Sequence, residues 1–158
     1  MAESEYGKGT NFKFSLPVAS VNILLVDDDK TDRLLYTKIL KNITSDYTVD
    51  VASNGIEALE KIKSLSPALV ITDHAMPKMD GYKLVKEMIQ EELLRKTPVI
   101  ILSSAMNRTI IQDYNDLGIE FVFQKPVNLR SFKQAVEKSL KKSITRNRQI
   151  TSLDKQTI

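Results

Sequence analysis

A doubly wound α/β domain built on a five-stranded parallel sheet is the fold that three features of the 158-residue sequence predict. Apolar runs of strand length alternate five times with stretches of helical periodicity between residues 22 and 142, the signature of successive βα units. Runs such as Ile23-Leu24-Leu25-Val26 and Val99-Ile100-Ile101-Leu102 lack polar alternation, as strands covered on both faces do. Capping residues stand at the joints between the two kinds of segment: Asn54 and Asn128 before helices, Gly118 after one.

In chain order, strands are expected at 22–26, 47–51, 68–72, 99–103 and 120–124, and helices at 31–41, 55–64, 82–94, 108–117 and 129–142. The first helix opens on acids, Asp29 and Asp32, which suit the positive end of a helix. The second carries Ile56, Leu59, Ile62 and Leu65 at i, i+3 spacing. Leu84, Val85, Met88 and Ile89 repeat that stripe in the third helix, and Phe132, Val136 and Leu140 in the fifth.

Parallel strands joined by right-handed crossovers present all their carboxyl ends along one edge. Strand one ends in Asp27-Asp28-Asp29, strand three in Asp73, strand four in Ser103-Ser104 and strand five in Lys125-Pro126. Carboxylates, a hydroxyl and an ammonium are thereby gathered in one crevice, where open sheets bind ligands. Several acids together repel one another unless something neutralises them. A hard divalent cation does so, and Mg²⁺ prefers a few carboxylates with water and phosphate oxygens. A carboxylate in that setting can act as a nucleophile toward phosphorus, with Mg²⁺, Lys125 and a strand-end hydroxyl neutralising charge.

Composition removes other chemistries. There is no Cys, so disulfide frameworks and thiolate sites are excluded, and the single His74 excludes a multi-histidine zinc site. No apolar run reaches membrane-spanning length and the N-terminus has no signal-like apolar core; a cytoplasmic location is expected. Of the formal charge of +3, a balance of +4 lies in residues 141–158, where Lys141, Lys142, Arg146, Arg148 and Lys155 face one acid, Asp154; the body before them is −1. Basicity confined to a tail is no nucleic-acid surface. Residues 143–158, polar and weakly periodic, are expected to be disordered.

The strand-end residues as a set resemble the receiver domain of two-component response regulators over 22–142. Val26-Asp27-Asp28 matches the acid pair, and Thr72-Asp73 with Met76-Pro77 and Met79-Asp80-Gly81 the phosphoacceptor segment. Pro98-Val99-Ile100-Ile101-Leu102-Ser103-Ser104 matches the switch strand and Lys125-Pro126 the lysine-proline loop. The resemblance implies the (βα)5 flavodoxin-like receiver fold, with Asp73 as the phosphorylated nucleophile. Asp27, Asp28 and Asp73 would hold Mg²⁺, joined by the carbonyl of Ala75. Ser103 would hydrogen-bond the phosphoryl group, Lys125 would offset its charge, and the Lys125-Pro126 bond would be cis. The implied partners are a histidine kinase or a histidine phosphotransfer protein, with a homodimer through the helix four, strand five, helix five face. Neither nucleic acid nor membrane contact is expected.

Residues 1–17 carry a second likeness. Gly7-Lys8-Gly9-Thr10-Asn11-Phe12-Lys13-Phe14-Ser15-Leu16-Pro17 resembles the end of the ATP-binding domain of sensor histidine kinases. That implies a hybrid kinase as the parent chain, with residues 18–21 as a linker; a mobile arm fits the same residues.

Other side chains near these motifs have simpler expected roles. Asp29 and Asp32 read as first-turn helix acids, His74 as an exposed loop residue and Ser104 as a small packing residue. Two departures from the family pattern stand out. The position usually aromatic, three before Lys125, is Val122, and the positions two after Asp73 and Ser103 are Ala75 and Ala105, which cannot orient an attacking water. A rival reading takes Asp27-x-Asp29-x-Thr31 as the nucleophile motif of a haloacid-dehalogenase-type phosphatase, and a third takes the domain as an interaction module that is never phosphorylated.

Overall fold

A computed structural model describes residues 21–156, and side chains within that span up to residue 145. The kinase-like segment at 1–17 lies outside the described residues. Strands and helices alternate as β1 (Asn22–Val26), α1 (Lys30–Ile43), β2 (Thr48–Ala52), α2 (Gly55–Leu65), β3 (Leu69–Asp73), α3 (Gly81–Gln90), β4 (Val99–Ser103), α4 (Arg108–Asp116), β5 (Phe121–Gln124) and α5 (Leu129–Gln156). The five strands form one parallel sheet in the order β2-β1-β3-β4-β5.

Strand periodicity divides the core in two. Ile23, Leu25, Leu69, Ile71, Ile100 and Leu102 face α1 and α5, where Tyr36, Leu40, Phe132 and Val136 are buried. Leu24, Val26, Val70, Val99 and Ile101 face α2, α3 and α4, where Ile62, Leu84, Met88 and Tyr114 are buried. Both faces of β1, β3 and β4 are sealed, which is why these strands read as continuous apolar runs.

The expected caps form. Asn54 accepts from Glu57 N–H at 2.9 Å and Asn128 from Ser131 N–H at 3.0 Å. Gly118, at φ 87°, adopts the left-handed turn after α4 that glycine tolerates best. Two expectations need correction. The third helix stops at Gln90, because Glu92 turns left-handed (φ 59°) and Leu93 N–H caps the Met88 carbonyl at 2.8 Å. The apolar residues beyond, Leu93 and Leu94, pack against the core from a loop. The stretch expected to be disordered from residue 143 instead continues α5 to Gln156. Ser139 and Ser143 are buried on that helix, and no Gly or Pro interrupts residues 129–156, so nothing stops propagation past the packed turns. Among the described residues no helix is long and apolar enough to cross a membrane.

Candidate functional site

The sheet order places β1 beside β3 and β3 beside β4, so residues just past their carboxyl ends converge. Asp27 follows β1 and is almost fully buried. Its Oδ1 accepts from Asp29 N–H at 2.9 Å, its Oδ2 from Lys125 Nζ at 2.8 Å, and Arg33 donates to its carbonyl at 2.7 Å. Asp73, the last residue of β3, is buried, and its Oδ1 accepts from His74 N–H at 2.9 Å. Asp28 points outward and is exposed. One oxygen from each of Asp27, Asp28 and Asp73 falls within 4.8 Å of the others. Hard oxygen donors so grouped, one of them open to solvent, suit a small divalent cation.

Lys125 reaches this cluster from the loop after β5. Its Nζ lies 2.8 Å from Asp27, 2.8 Å from Asp32 and 3.5 Å from Asp73. The backbone brings it there: Lys125 N–H donates to the Ser103 carbonyl at 2.8 Å, and the Lys125-Pro126 bond is cis. Burial pushes the Asp73 carboxyl up to about 6; the Lys125 charge opposes this and Asp27 adds to it. Burial alone would depress the Lys125 ammonium, but hydrogen bonds to Asp27 and Asp32 and the charge of Asp73 hold it above the ordinary lysine range.

Ser103 closes β4 one residue beyond Leu102, which stands in register with Asp73. Its hydroxyl donates to the Ala105 carbonyl at 2.8 Å, turned into its own loop rather than toward Asp73. Ala75 is exposed in the loop after Asp73. The structure therefore joins Asp27, Asp28, Asp73 and Lys125 directly, with Ser103 at the end of β4 and Ala75 in the loop after β3.

Asp32 is the acid that reading by helix position undervalued. Lys125 binds it 93 residues away, a pairing that only tertiary contact creates. Asp29 is the N-cap of α1, its side chain accepting from Asp32 N–H at 2.9 Å. That cap matches its expected role as a helix-start acid, and it lies outside the Asp27, Asp28, Asp73 group. His74 is half-buried rather than exposed, with Nδ1 2.7 Å from the Tyr114 hydroxyl. The bond has no local sequence signal, since the two lie 40 positions apart. Val122 sits on the same sheet face as Tyr114, packed against that cluster, while Phe121 and Phe123 face α1 and α5.

Comparison with known proteins agrees with this geometry. The family described as the response regulator receiver domain matches residues 23–137. The two-component response regulator ARR17 of Arabidopsis thaliana is 34% identical over 135 residues, covering 78% of this chain and 87% of that protein. The two-component response regulator ORR11 of Oryza sativa subsp. indica is 36% identical over 110 residues, 69% of this chain and 74% of that one. Among solved structures, the receiver domain of Francisella response regulator 1452 superposes with a TM-score of 0.68 at 27% identity, covering 78% of this chain and 99% of its own. The receiver domain of a Luxo repressor protein of Vibrio parahaemolyticus superposes with a TM-score of 0.74 at 25% identity, over 82% and 96%. With an acid crevice of this kind at the carboxyl edge of a 2-1-3-4-5 sheet, the chain belongs to the response regulator receiver domains of two-component signalling.

Proposed function

We propose that Asp73 accepts a phosphoryl group from a phosphohistidine and that the domain signals through that modification. The observation that carries the reading is the buried Asp73 carboxylate beside Asp27, Asp28 and the Lys125 ammonium. Among the described residues, Oδ1 of Asp73 takes the bond from His74 N–H, and Oδ2 takes none, so Oδ2 is the oxygen free to attack. In the transfer a new O–P bond forms to Asp73 as the P–N bond of the donor breaks. The bonding pair leaves with the imidazole nitrogen. Little covalent help is needed in such a step; positioning and charge neutralisation supply most of it.

Asp27 and Asp28, with Asp73 and the Ala75 carbonyl, are the groups that would hold Mg²⁺. Bound there, the cation offsets the charge of the carboxylates and of the incoming phosphoryl oxygens. Lys125, anchored by Asp27 and Asp32, stands ready to pair with a phosphoryl oxygen from the far side of Asp73. The Ser103 hydroxyl turns from the Ala105 carbonyl to donate to another. Burial keeps the crevice drier than bulk water, which strengthens each of these contacts.

A histidine kinase or histidine phosphotransfer protein is the partner this chemistry requires, since the donor must bring an imidazole to Asp73. Leu34 and Leu35 on α1 and Leu129 at the start of α5 are 58%, 48% and 60% exposed, and Lys125 ties α1 to the loop before α5. We assign these exposed leucines to contact with a helix that bears the donor. The kinase-like motif at residues 7–17 supports a donor on the parent polypeptide, and association of two copies through the α4, β5, α5 face is the response we assign to phosphorylation.

Incubation of wild type and Asp73→Ala with a phosphorylated histidine donor and Mg²⁺ tests the reading. One acid-stable, base-labile phosphoryl group per wild-type chain and none on the variant is the expected result. Equal labelling of both would refute it.

A further inference from the structure

His74 and Tyr114 have no part in the transfer just described, yet they join the acceptor to α4. Tyr114 is the one fully buried side chain of α4. Its ring packs edge-to-face against His74 at 5.6 Å and against Tyr82 of α3 at 5.8 Å. Burial, with the charges of Asp80 and Asp73 adding to it, raises the Tyr114 hydroxyl far above the ordinary tyrosine value. It is therefore a phenol. That hydroxyl lies 2.7 Å from His74 Nδ1, a hydrogen bond between the two side chains. Among the described residues that nitrogen is the only hydrogen-bond partner of the hydroxyl.

The backbone of His74 is engaged as tightly as its ring. Its N–H is shared between Asp73 Oδ1 at 2.9 Å and the Leu102 carbonyl at 2.8 Å, and its carbonyl accepts from Gly81 N–H at 2.8 Å. Gly81 makes room for this knot, because a Cβ there would lie 2.5 Å from the Asp73 carbonyl and 3.1 Å from the Tyr114 hydroxyl. One residue thus touches the acceptor carboxylate through its amide and the anchor of α4 through its ring. The neighbouring side chain on β5, Val122, has no polar atom and no ring to swing.

We propose that Tyr114 is a positioning residue that couples the state of Asp73 to the placement of α4, with His74 as the link. The inference rests on the phosphoacceptor reading of Asp73. Modification of Asp73 redistributes the hydrogen bonds of its carboxylate, and the His74 amide must answer. The Tyr114 hydroxyl follows its His74 partner, because a buried hydroxyl left without one bears its full desolvation cost. Tyr114 is the one fully buried side chain of α4, with Ile110 and Leu117 packed partly buried beside it, so motion of Tyr114 shifts the helix.

The test compares wild type, Tyr114→Phe, His74→Ala and the double variant, each as the full chain, with beryllofluoride and Mg²⁺ as the phosphoryl mimic. Occupancy of the mimic is read by fluorine NMR, and the response of α4 by amide hydrogen exchange across Arg108–Asp116. In wild type the mimic changes α4 exchange. Tyr114→Phe takes up the mimic within about twofold of wild type while the α4 response shrinks about fivefold, the lower range of coupling between linked sites. His74→Ala loses the response equally, and the double variant loses no more than either single change. A wild-type response in Tyr114→Phe, additive losses, or faster α4 exchange that is the same with and without the mimic would overturn the coupling. So would a wild-type protein that binds the mimic with α4 unmoved. Failure of wild type to take up the mimic would instead remove the Asp73 reading, and the coupling with it.

Discussion

Lys125 Nζ lies 2.8 Å from Asp32 Oδ2 and 2.8 Å from Asp27 Oδ2, bridging the start of α1 to the buried end of β1. The lysine is 11% exposed and Asp32 about a third exposed, so the two ends of the bridge differ in worth. Removing the lysine strands buried carboxylates, whereas Asp32→Asn keeps an acceptor near water. Lys125→Met is expected to lower metal-free stability by about 3 kcal/mol and Asp32→Asn by about 1 kcal/mol. Urea unfolding at neutral pH measures both, and the reverse order would show that the bridge is solvated.

Protonation of Asp73 gives stability a pH dependence. Its carboxyl is raised by burial from the ordinary 3.8 to about 6. The folded protein then holds a proton that the unfolded chain has already released, so stability falls as pH rises from about 4 to about 6. A shift of this size corresponds to about 3 kcal/mol in the metal-free protein. Asp73→Asn should flatten that slope and unfold at higher urea than wild type at pH 7. A steeper decline in the variant than in wild type would contradict the assignment to Asp73.

Divalent cation should restore what the crowded acids cost. A ligand bound only to the folded state at 100 times its Kd adds about 2.7 kcal/mol. Saturating Mg²⁺ is expected to raise the Tm of wild type by several degrees and that of Asp28→Asn far less. Asp28 is the exposed member of the trio, so its loss leaves the fold intact. Thermal melts with and without Mg²⁺ provide the reading; equal shifts in both proteins would exclude the trio as the site.

Gly81→Ala addresses the packing of the acceptor loop. A Cβ at 2.5 Å from the Asp73 carbonyl meets backbone, which cannot swing aside. The expected penalty is about 2 kcal/mol or more, together with slower phosphorylation as Asp73 is displaced. Gly118→Ala is the control. No atom lies within 4 Å of a Cβ there, but φ is +87°, so it should cost about 1 kcal/mol with phosphorylation unaffected.

The lifetime of the acyl phosphate depends on what can orient water. Ala75 and Ala105, on the loops flanking Asp73, carry no hydrogen-bonding side chain. Slow hydrolysis of phospho-Asp73 is expected, with acceleration in Ala75→Asn. Following the decay of labelled protein checks this, and rapid loss unchanged by the substitution would rule it out.

Much of this molecule could be read along the chain. β1 and β4 fall where expected, at 22–26 and 99–103, because strands sealed on both faces carry the near-continuous apolar runs at 23–26 and 99–102. Asn54, Asn128 and Gly118 announce helix ends through local hydrogen bonding and backbone freedom alone. The meeting of Asp27, Asp28 and Asp73 was legible too, since a parallel sheet puts every strand's carboxyl end on one edge. What followed from nonlocal packing was not legible. Leu93 and Leu94 continue the apolar pattern of α3 yet fold back as a loop, and α5 continues beyond residue 142 to Gln156. Asp32 became a partner of Lys125, and His74 of Tyr114, across 93 and 40 residues. Periodicity and caps act within a few residues, so they determine which elements form and which edge gathers the acids. Which buried hydroxyl or ammonium finds which acceptor is decided only when the helices close over the sheet and every polar group taken from water must be satisfied.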